Sequence, residues 1–135
     1  MANPTESSTT AQQDWMALLA RILLVALVLI NGLGKLADPA GTISYISSVG
    51  LPMPTLAYGG AVAVEVLGGL AVLIGFKTRL AALALAAFSI VAAVAFHNQL
   101  SDQMQMIMFL KNFSIAGGFL LLAAFGPGRY SLDRR

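Results

Sequence analysis

Hydrophobic residues in this chain fall into four long runs separated by short polar breaks. The runs extend approximately from Met16 to Leu36, Thr55 to Phe76, Leu80 to Phe96 and Met106 to Phe125. Each is close to the roughly 20 residues that an α-helix needs to cross about 30 Å of hydrocarbon. The pattern therefore predicts an all-α fold, an integral membrane four-helix bundle in contact with a lipid bilayer.

The segment between the first two runs, from Asp38 to Pro54, has a different pattern. Its apolar side chains recur at three- and four-residue spacing, which is typical of a helix lying in the membrane interface. Glycine and proline residues then end it at Gly50 and Pro52. We expect a short amphipathic helix between spans one and two.

The two ends of the chain differ from the apolar runs. Residues 1–14 are polar, rich in Ser, Thr and Gln, and contain no Lys or Arg, so they lack the basic region of a cleavable signal. We expect a retained, disordered leader over residues 1–14, a four-span domain over residues 15–128 and a basic cytoplasmic tail over residues 129–135.

Composition narrows the class further. Hydrophobic residues make up 58% of the chain and charged residues 10%, whereas soluble proteins carry about 25% charged residues. The chain has no cysteine, which excludes disulfides, thiol redox chemistry and thiolate metal sites. A net charge of +2 without a basic and aromatic stripe argues against nucleic acid as a partner.

Basic residues predict the orientation. Four spans place both termini and the link between spans two and three on one side. That side collects Lys77, Arg79, Arg129, Arg134 and Arg135, while Lys35 and Lys111 lie near the other boundary. The positive-inside rule therefore favours both termini in the cytoplasm of a multi-pass protein.

Ionisable residues within or at the edges of the apolar runs are the main functional candidates: Arg21, Lys35, Glu65 and Lys111. A charge in a bilayer costs roughly 2.5 to 3.5 kcal/mol even on mild scales and is tolerated where it faces a bundle interior or a cavity. Glu65 lies about 16 Å from either end of its span. We expect the bundle to close around Glu65, with Lys35 or Lys111 as its partner.

Other polar residues lie toward the same end as Lys35. Asn112 follows Lys111, and Asn31 shares a helical face with Arg21 and Lys35. The single histidine, His97, ends span three and has no second ligand at metal-binding spacing, so no tightly bound metal is expected. Three roles stay open for His97: a structural role, bonded to Asp102 or a carbonyl; a proton-handling role; and a haem or metal role that would need a homo-oligomer or a partner.

A set of motifs spread over all four spans adds a resemblance. The motifs are Arg21, the Asn-Gly-Leu-Gly-Lys-Leu run at 31–36, Gly50-Leu51-Pro52, Glu65 with Gly68 and Gly69, Lys77-Thr78-Arg79, His97, Phe109-Leu110-Lys111-Asn112 and the segment from Gly126 to Asp133. In this order the chain resembles the DoxX family of small bacterial inner-membrane proteins. The resemblance implies a four-span fold and a membrane subunit near quinone-linked oxidoreductases.

The leading functional hypothesis is a polar pocket, open toward the outer leaflet, that binds a quinone or another small polar-headed ligand. Glu65 and His97 are the candidate catalytic, proton-handling residues. The candidate ligand-binding residues are Arg21, Asn31, Lys35, Lys111 and Asn112. The chain would act as an accessory subunit beside partner oxidoreductase subunits or as a homo-oligomer, and whether it is itself an enzyme stays open.

Three alternatives stay open beside this hypothesis. In the first, Glu65 pairs with Lys35 or Lys111, and Arg21 with a backbone carbonyl, only to fix helix register. In the second, the chain is a small proton-coupled transporter that uses Glu65. In the third, it is a scaffold that anchors soluble partners through its C-terminal tail.

Overall fold

The computed structural model describes residues 4–134, with side chains from Thr10 onward, and this part is helical without strands. Its helices are α1 (Pro4–Ala37), α2 (Pro39–Ser48), α3 (Pro54–Ile74), α4 (Thr78–Phe96) and α5 (Gln103–Phe125). All except α2 contain a stretch long and apolar enough to cross a membrane, which in α1 runs from Thr10. The predicted all-α, four-span fold is confirmed.

The bundle is held together by a small apolar core shared by the four long helices. Helices α4 and α5 form an antiparallel hairpin with the most extensive interface, and α1 packs along α3 and meets α5. Small side chains let these helices approach closely where no hydrophobic force between helices exists. The buried core residues are Val25, Val28, Val72, Ala82, Leu85, Ala86, Ala116, Phe119 and Leu122.

Helix α3 changes its hydrogen-bonding pattern in the middle. The segment Ala63–Gly68 is π-helical, so its backbone bonds span five residues instead of four. Gly32 of α1 faces this segment, and a Cβ atom there would stand 2.9 Å from Val66 Cγ2 and 3.1 Å from Glu65 Cβ. Because glycine lacks that atom, α1 comes close to the π-helical segment, in which Glu65 is buried.

Helix α2 is the predicted short helix between spans one and two. Its N-terminus is capped by Asp38, whose carboxylate accepts the N–H of Gly41 at 3.0 Å, and Pro39 occupies the first turn. Ile46 is buried against the bundle while Tyr45 is half exposed. This two-sided character is that of an interfacial amphipathic helix.

Residues 1–14 were predicted to be a disordered leader, and in the structure α1 begins at Pro4, within that stretch. Once a span is helical, each further residue adds a hydrogen bond without a new nucleation step, so polar residues can extend the helix. Asp14 is also fixed, because its Oδ1 accepts the backbone N–H of Arg129 at 3.0 Å. Residues 1–3 of the leader lie outside the described residues.

The C-terminal segment Gly126–Asp133 folds back on the end of the bundle where α1 begins, and we call it the C-terminal clasp. The N–H of Leu132 donates to Ile74 O at 3.1 Å, and that of Asp133 to Gly75 O at 2.8 Å. The rings of Trp15 and Tyr130 lie 4.9 Å apart at the same end. The predicted tail is therefore packed up to Asp133, and Arg135 lies outside the described residues.

Candidate functional site

A cavity of about 300 Å³ lies in the half of the bundle away from the C-terminal clasp, beneath α2. Every helix contributes to its wall. Its polar lining consists of Asn31, Lys35, Thr42, Tyr45, Glu65, Ser89, His97, Lys111 and Asn112. We call it the ion-pair cavity because Lys35 and Glu65 meet in it.

Lys35 and Glu65 form the ion pair across α1 and α3. Lys35 Nζ lies 2.7 Å from Glu65 Oε1, and the two side chains are 28% and 2% exposed. This distance is that of a charge-assisted contact, so Lys35 is the partner of Oε1. The carboxylate therefore has a counter-charge, and its remaining lone pairs can still accept a further donor.

The structure brings six of the seven predicted site residues together in the ion-pair cavity: Asn31, Lys35, Glu65, His97, Lys111 and Asn112. The partner of Glu65 is Lys35, whereas Lys111 Nζ lies 3.3 Å from the Met108 sulfur. A thioether is a weak acceptor. Lys111 thus retains most of its capacity to donate to a ligand in the cavity.

His97 lies at the end of α4 and contacts α5. Its Nδ1 is 3.3 Å from Gln105 Oε1, so with the proton on Nδ1 the ring donates to Gln105 and leaves Nε2 as an acceptor. Asp102, the partner considered from sequence, instead caps α5 by accepting the N–H of Met104 at 2.9 Å. Gln105 is the partner that sequence reasoning missed.

Arg21 is the predicted ligand-binding residue that the structure places elsewhere. It is 1% exposed and does not line the ion-pair cavity. Its guanidinium donates to the carbonyls of Val72 at 3.0 Å and Leu73 at 2.7 Å, and to those of Pro127 at 3.0 Å and Tyr130 at 2.8 Å. Arg21 satisfies carbonyls at the end of α3 and in the C-terminal clasp, as the structural alternative for this residue expected.

Helix α2 covers the ion-pair cavity. Tyr45 stacks on Phe96 with ring centroids 5.5 Å apart, which joins α2 to the end of α4. On the other side, the Tyr58 hydroxyl donates to Lys35 O at 3.0 Å and holds the last turn of α1 against α3. The positions of Lys35 and of the cover are therefore fixed by aromatic residues around them.

Ser89 is a buried cavity residue that the sequence reasoning did not select. It lies on the helical face of α4 that also carries the buried Ala86 and Ala93. Ser89 lies three residues after Ala86 and four residues before Ala93, and this helical spacing could have indicated that its side chain faces the bundle interior. Thr42 and Tyr45 of α2 also line the cavity, and neither was selected from the sequence as a site residue.

The arrangement combines one buried acceptor with several donors in apolar surroundings. Glu65 can accept from a ligand donor, while Lys111 and Asn112 can donate to a ligand oxygen. Aromatic and aliphatic walls, including Phe88, suit the apolar body of such a ligand. Among the described residues, no group of three His, Asp or Glu side chains is placed to hold a metal ion.

Comparison with known proteins agrees with the fold. The family profile of DoxX matches residues 16–98. The inner membrane protein YqjF of Escherichia coli strain K12 is 43% identical over 122 residues, covering 90% of this chain and 92% of that protein. The inner membrane protein YphA of the same organism is 42% identical over 130 residues, covering 93% of each. No solved structure matches the chain. By both the family profile and these relatives, the chain belongs to the DoxX family.

Proposed function

We propose that this protein binds a small, lipid-soluble ligand with a polar head, of which a quinone is the best example, in the ion-pair cavity. The observation that carries the proposal is the buried Glu65 carboxylate, which is paired with Lys35 and lines a cavity that also contains Asn112 and the Lys111 ammonium, which has no ion-pair partner among the described residues. An ionisable group at this depth is expensive in a bilayer and marks a functional site by default.

The size of the ion-pair cavity limits what it can enclose. About 300 Å³ is at the lower end of ligand pockets, which run from roughly 300 to 1,000 Å³. A substituted six-membered ring fits this volume, whereas a long isoprenoid tail does not. The tail of a quinone would therefore leave between helices into the bilayer.

The polar groups suit the two redox forms of a quinone. The carbonyl oxygens of the oxidised form need donors, which Lys111 and Asn112 supply. The hydroxyl groups of the reduced form need an acceptor, which Glu65 supplies. Oxidation of a quinol releases two protons and two electrons, and Glu65 and His97 can each take one of the protons. The chain has no cysteine and therefore no thiol redox pair that could accept electrons. The electrons would therefore pass to a partner oxidoreductase subunit.

The inner membrane is the proposed location, with both termini in the cytoplasm. The printed names of the two relatives give this membrane for those proteins. The basic residues at the end that carries the C-terminal clasp favour a cytoplasmic position for that end. With the end that carries the C-terminal clasp in the cytoplasm, the ion-pair cavity lies in the outer half of the bilayer, and the protein acts there as an accessory subunit.

The test is extraction and mass spectrometry of small molecules from the gently purified full-length protein, together with its optical spectrum. We expect a co-purifying quinone whose occupancy falls about tenfold in Glu65→Gln and Lys111→Gln, since each loses a hydrogen bond to a charged group. Asp102→Asn is the matched control, because Asp102 is a carboxylate of the same end that lies outside the cavity.

Equal occupancy in all four proteins would contradict binding at this site. A complete lack of lipid-soluble ligand would favour the transporter hypothesis, which efflux from vesicles under a pH gradient would test. A cation substrate is disfavoured because Lys35 already lies against the Glu65 carboxylate. The scaffold hypothesis is weakened because the C-terminal clasp is engaged with the bundle as far as Asp133.

A further inference from the structure

A second pocket lies at the opposite end of the bundle, next to the C-terminal clasp. Its volume is about 950 Å³, and it is bordered by the start of α1, the start of α4 and the end of α5. Arg79, Arg129 and Arg134 line it together with one carboxylate, that of Asp14. We call it the arginine pocket, and its lining carries a net positive charge.

The guanidinium groups of this pocket differ in how far they are already engaged. Arg79 Nη1 donates to Ala123 O at 3.1 Å and to Ala124 O at 2.6 Å, which orients its planar group at the end of α5. Among the side chains described, no carboxylate lies within ion-pair distance of Arg129 or Arg134. Asp14 instead accepts the backbone N–H of Arg129. The guanidinium groups of Arg129 and Arg134 therefore present N–H donors that have no acceptor among the described residues.

Exposed aromatic side chains lie in and beside the pocket, as is typical of the lipid headgroup region. Phe125, which is 79% exposed, forms one of its walls, and Trp15, which is 60% exposed, lies near it against Tyr130. Aromatic side chains of this kind concentrate where the hydrocarbon meets the headgroups. A ligand in the arginine pocket would thus have its charge beside the guanidiniums and its apolar part beside Phe125.

We propose that the arginine pocket binds the phosphate of an anionic phospholipid from the leaflet at this end of the protein. Arginine forks match the geometry of phosphate oxygens, and basic pockets between membrane helices bind anionic headgroups. The exposed aromatic residues and the position at the membrane boundary select a lipid over a free phosphate. This site is separate from the ion-pair cavity and does not depend on the function proposed for it.

The test is native mass spectrometry of the full-length protein in neutral detergent, titrated with phosphatidylglycerol or phosphatidylcholine. We expect phosphatidylglycerol to bind at least tenfold more tightly, and Arg129→Gln and Arg134→Gln each to weaken it about fivefold. Lys77→Gln is the matched control: it removes one positive charge at the same end, but Lys77 does not line the pocket. Its effect should stay below twofold.

Three results would overturn the proposal. Equal binding of the two lipids would show no preference for the anionic headgroup. An equal loss in all three variants would indicate diffuse surface charge instead of a site. Displacement of the lipid by glycerol phosphate at equal concentration would identify a soluble phosphate as the ligand. Thermal melts of each variant without added lipid separate a binding defect from misfolding.

Discussion

Asp133 accepts two hydrogen bonds from Thr78, one from the backbone N–H and one from the hydroxyl, each at 2.8 Å. It also accepts the N–H of Lys77 at 2.9 Å. Lys77, at the N-cap position of α4, makes no capping bond with its own side chain. The C-terminal clasp therefore caps α4 in place of a local residue, and the bonds from Thr78 hold the pKa of the Asp133 carboxyl below its ordinary value.

This capping predicts a loss of stability in acid. Because the folded-state pKa is lowered, the contribution of Asp133 is fully present above the ordinary aspartate pKa of about 3.9 and is lost as the pH falls below it. Asp133→Asn replaces one of two accepting oxygens by an NH2 group, so it should cost about 1 kcal/mol at neutral pH and should lose less on acidification than the wild type. Thermal melts from pH 6 to pH 3 measure both effects. Parallel curves for the two proteins would contradict the assignment.

Arg21 is expected to be the most sensitive arginine for folding. Arg21→Met removes the guanidinium donor from four backbone carbonyls of α3 and the C-terminal clasp, of which Val72 O keeps the N–H of Gly75. We expect a loss of roughly 3 kcal/mol or more. Arg79→Gln removes bonds to two carbonyls of α5 at an exposed position and should cost about 1 kcal/mol or less. Melting temperatures in detergent give the comparison. A smaller loss for Arg21→Met than for Arg79→Gln would show that the buried network is not the stabilising one.

The close packing of α1 on α3 at Gly32 can be tested by adding a single methyl group. Gly32→Ala places a Cβ atom 2.9 Å from Val66 Cγ2, so the helices must separate or repack, at a cost of about 1 to 3 kcal/mol. Gly34→Ala is the control, because nothing lies within 4 Å of its Cβ position. That variant should be neutral or stabilise by up to about 1 kcal/mol through helix propensity. Equal melting temperatures for the two variants would contradict the close packing.

The ion pair predicts an asymmetry between its two partners. Lys35→Met leaves the buried Glu65 without a counter-charge and should destabilise by about 3 to 5 kcal/mol. Glu65→Gln leaves only the partly exposed Lys35 unpaired and should cost less. The double variant Lys35→Met with Glu65→Gln should recover much of the loss, which thermal melts can show. Similar losses for both single variants, with no recovery in the double, would exclude coupling between them.

Hydropathy was sufficient to predict the four spans, because a helix of about 20 apolar residues has few other stable locations. Depth along each helix was also sufficient to place Glu65 near the middle of its span and Lys35 and Lys111 toward one end of the bundle. These predictions need only the position of each residue in its apolar run, its charge and the constant rise of an α-helix. No knowledge of how the helices pack is required.

The partners within the bundle were not predictable in the same way. Whether Glu65 pairs with Lys35 or with Lys111 depends on helix rotation, and the π-helical segment Ala63–Gly68 alters that rotation without a known sequence signal. The role of Arg21 depends on carbonyls of the C-terminal clasp, which are more than 100 residues away in sequence. Such long-range backbone contacts leave no periodic pattern.

The Lys35–Glu65 pair also has a consequence for how the protein enters the membrane. The two residues belong to consecutive spans, α1 and α3, and either charge alone is costly in hydrocarbon. If α1 and α3 insert together as a helical hairpin, the charges enter as a neutral unit. We therefore expect α3 to insert less efficiently when α1 is deleted than when both are present, a difference that glycosylation mapping of inserted segments would measure. The ion pair would then serve biogenesis before it serves any ligand.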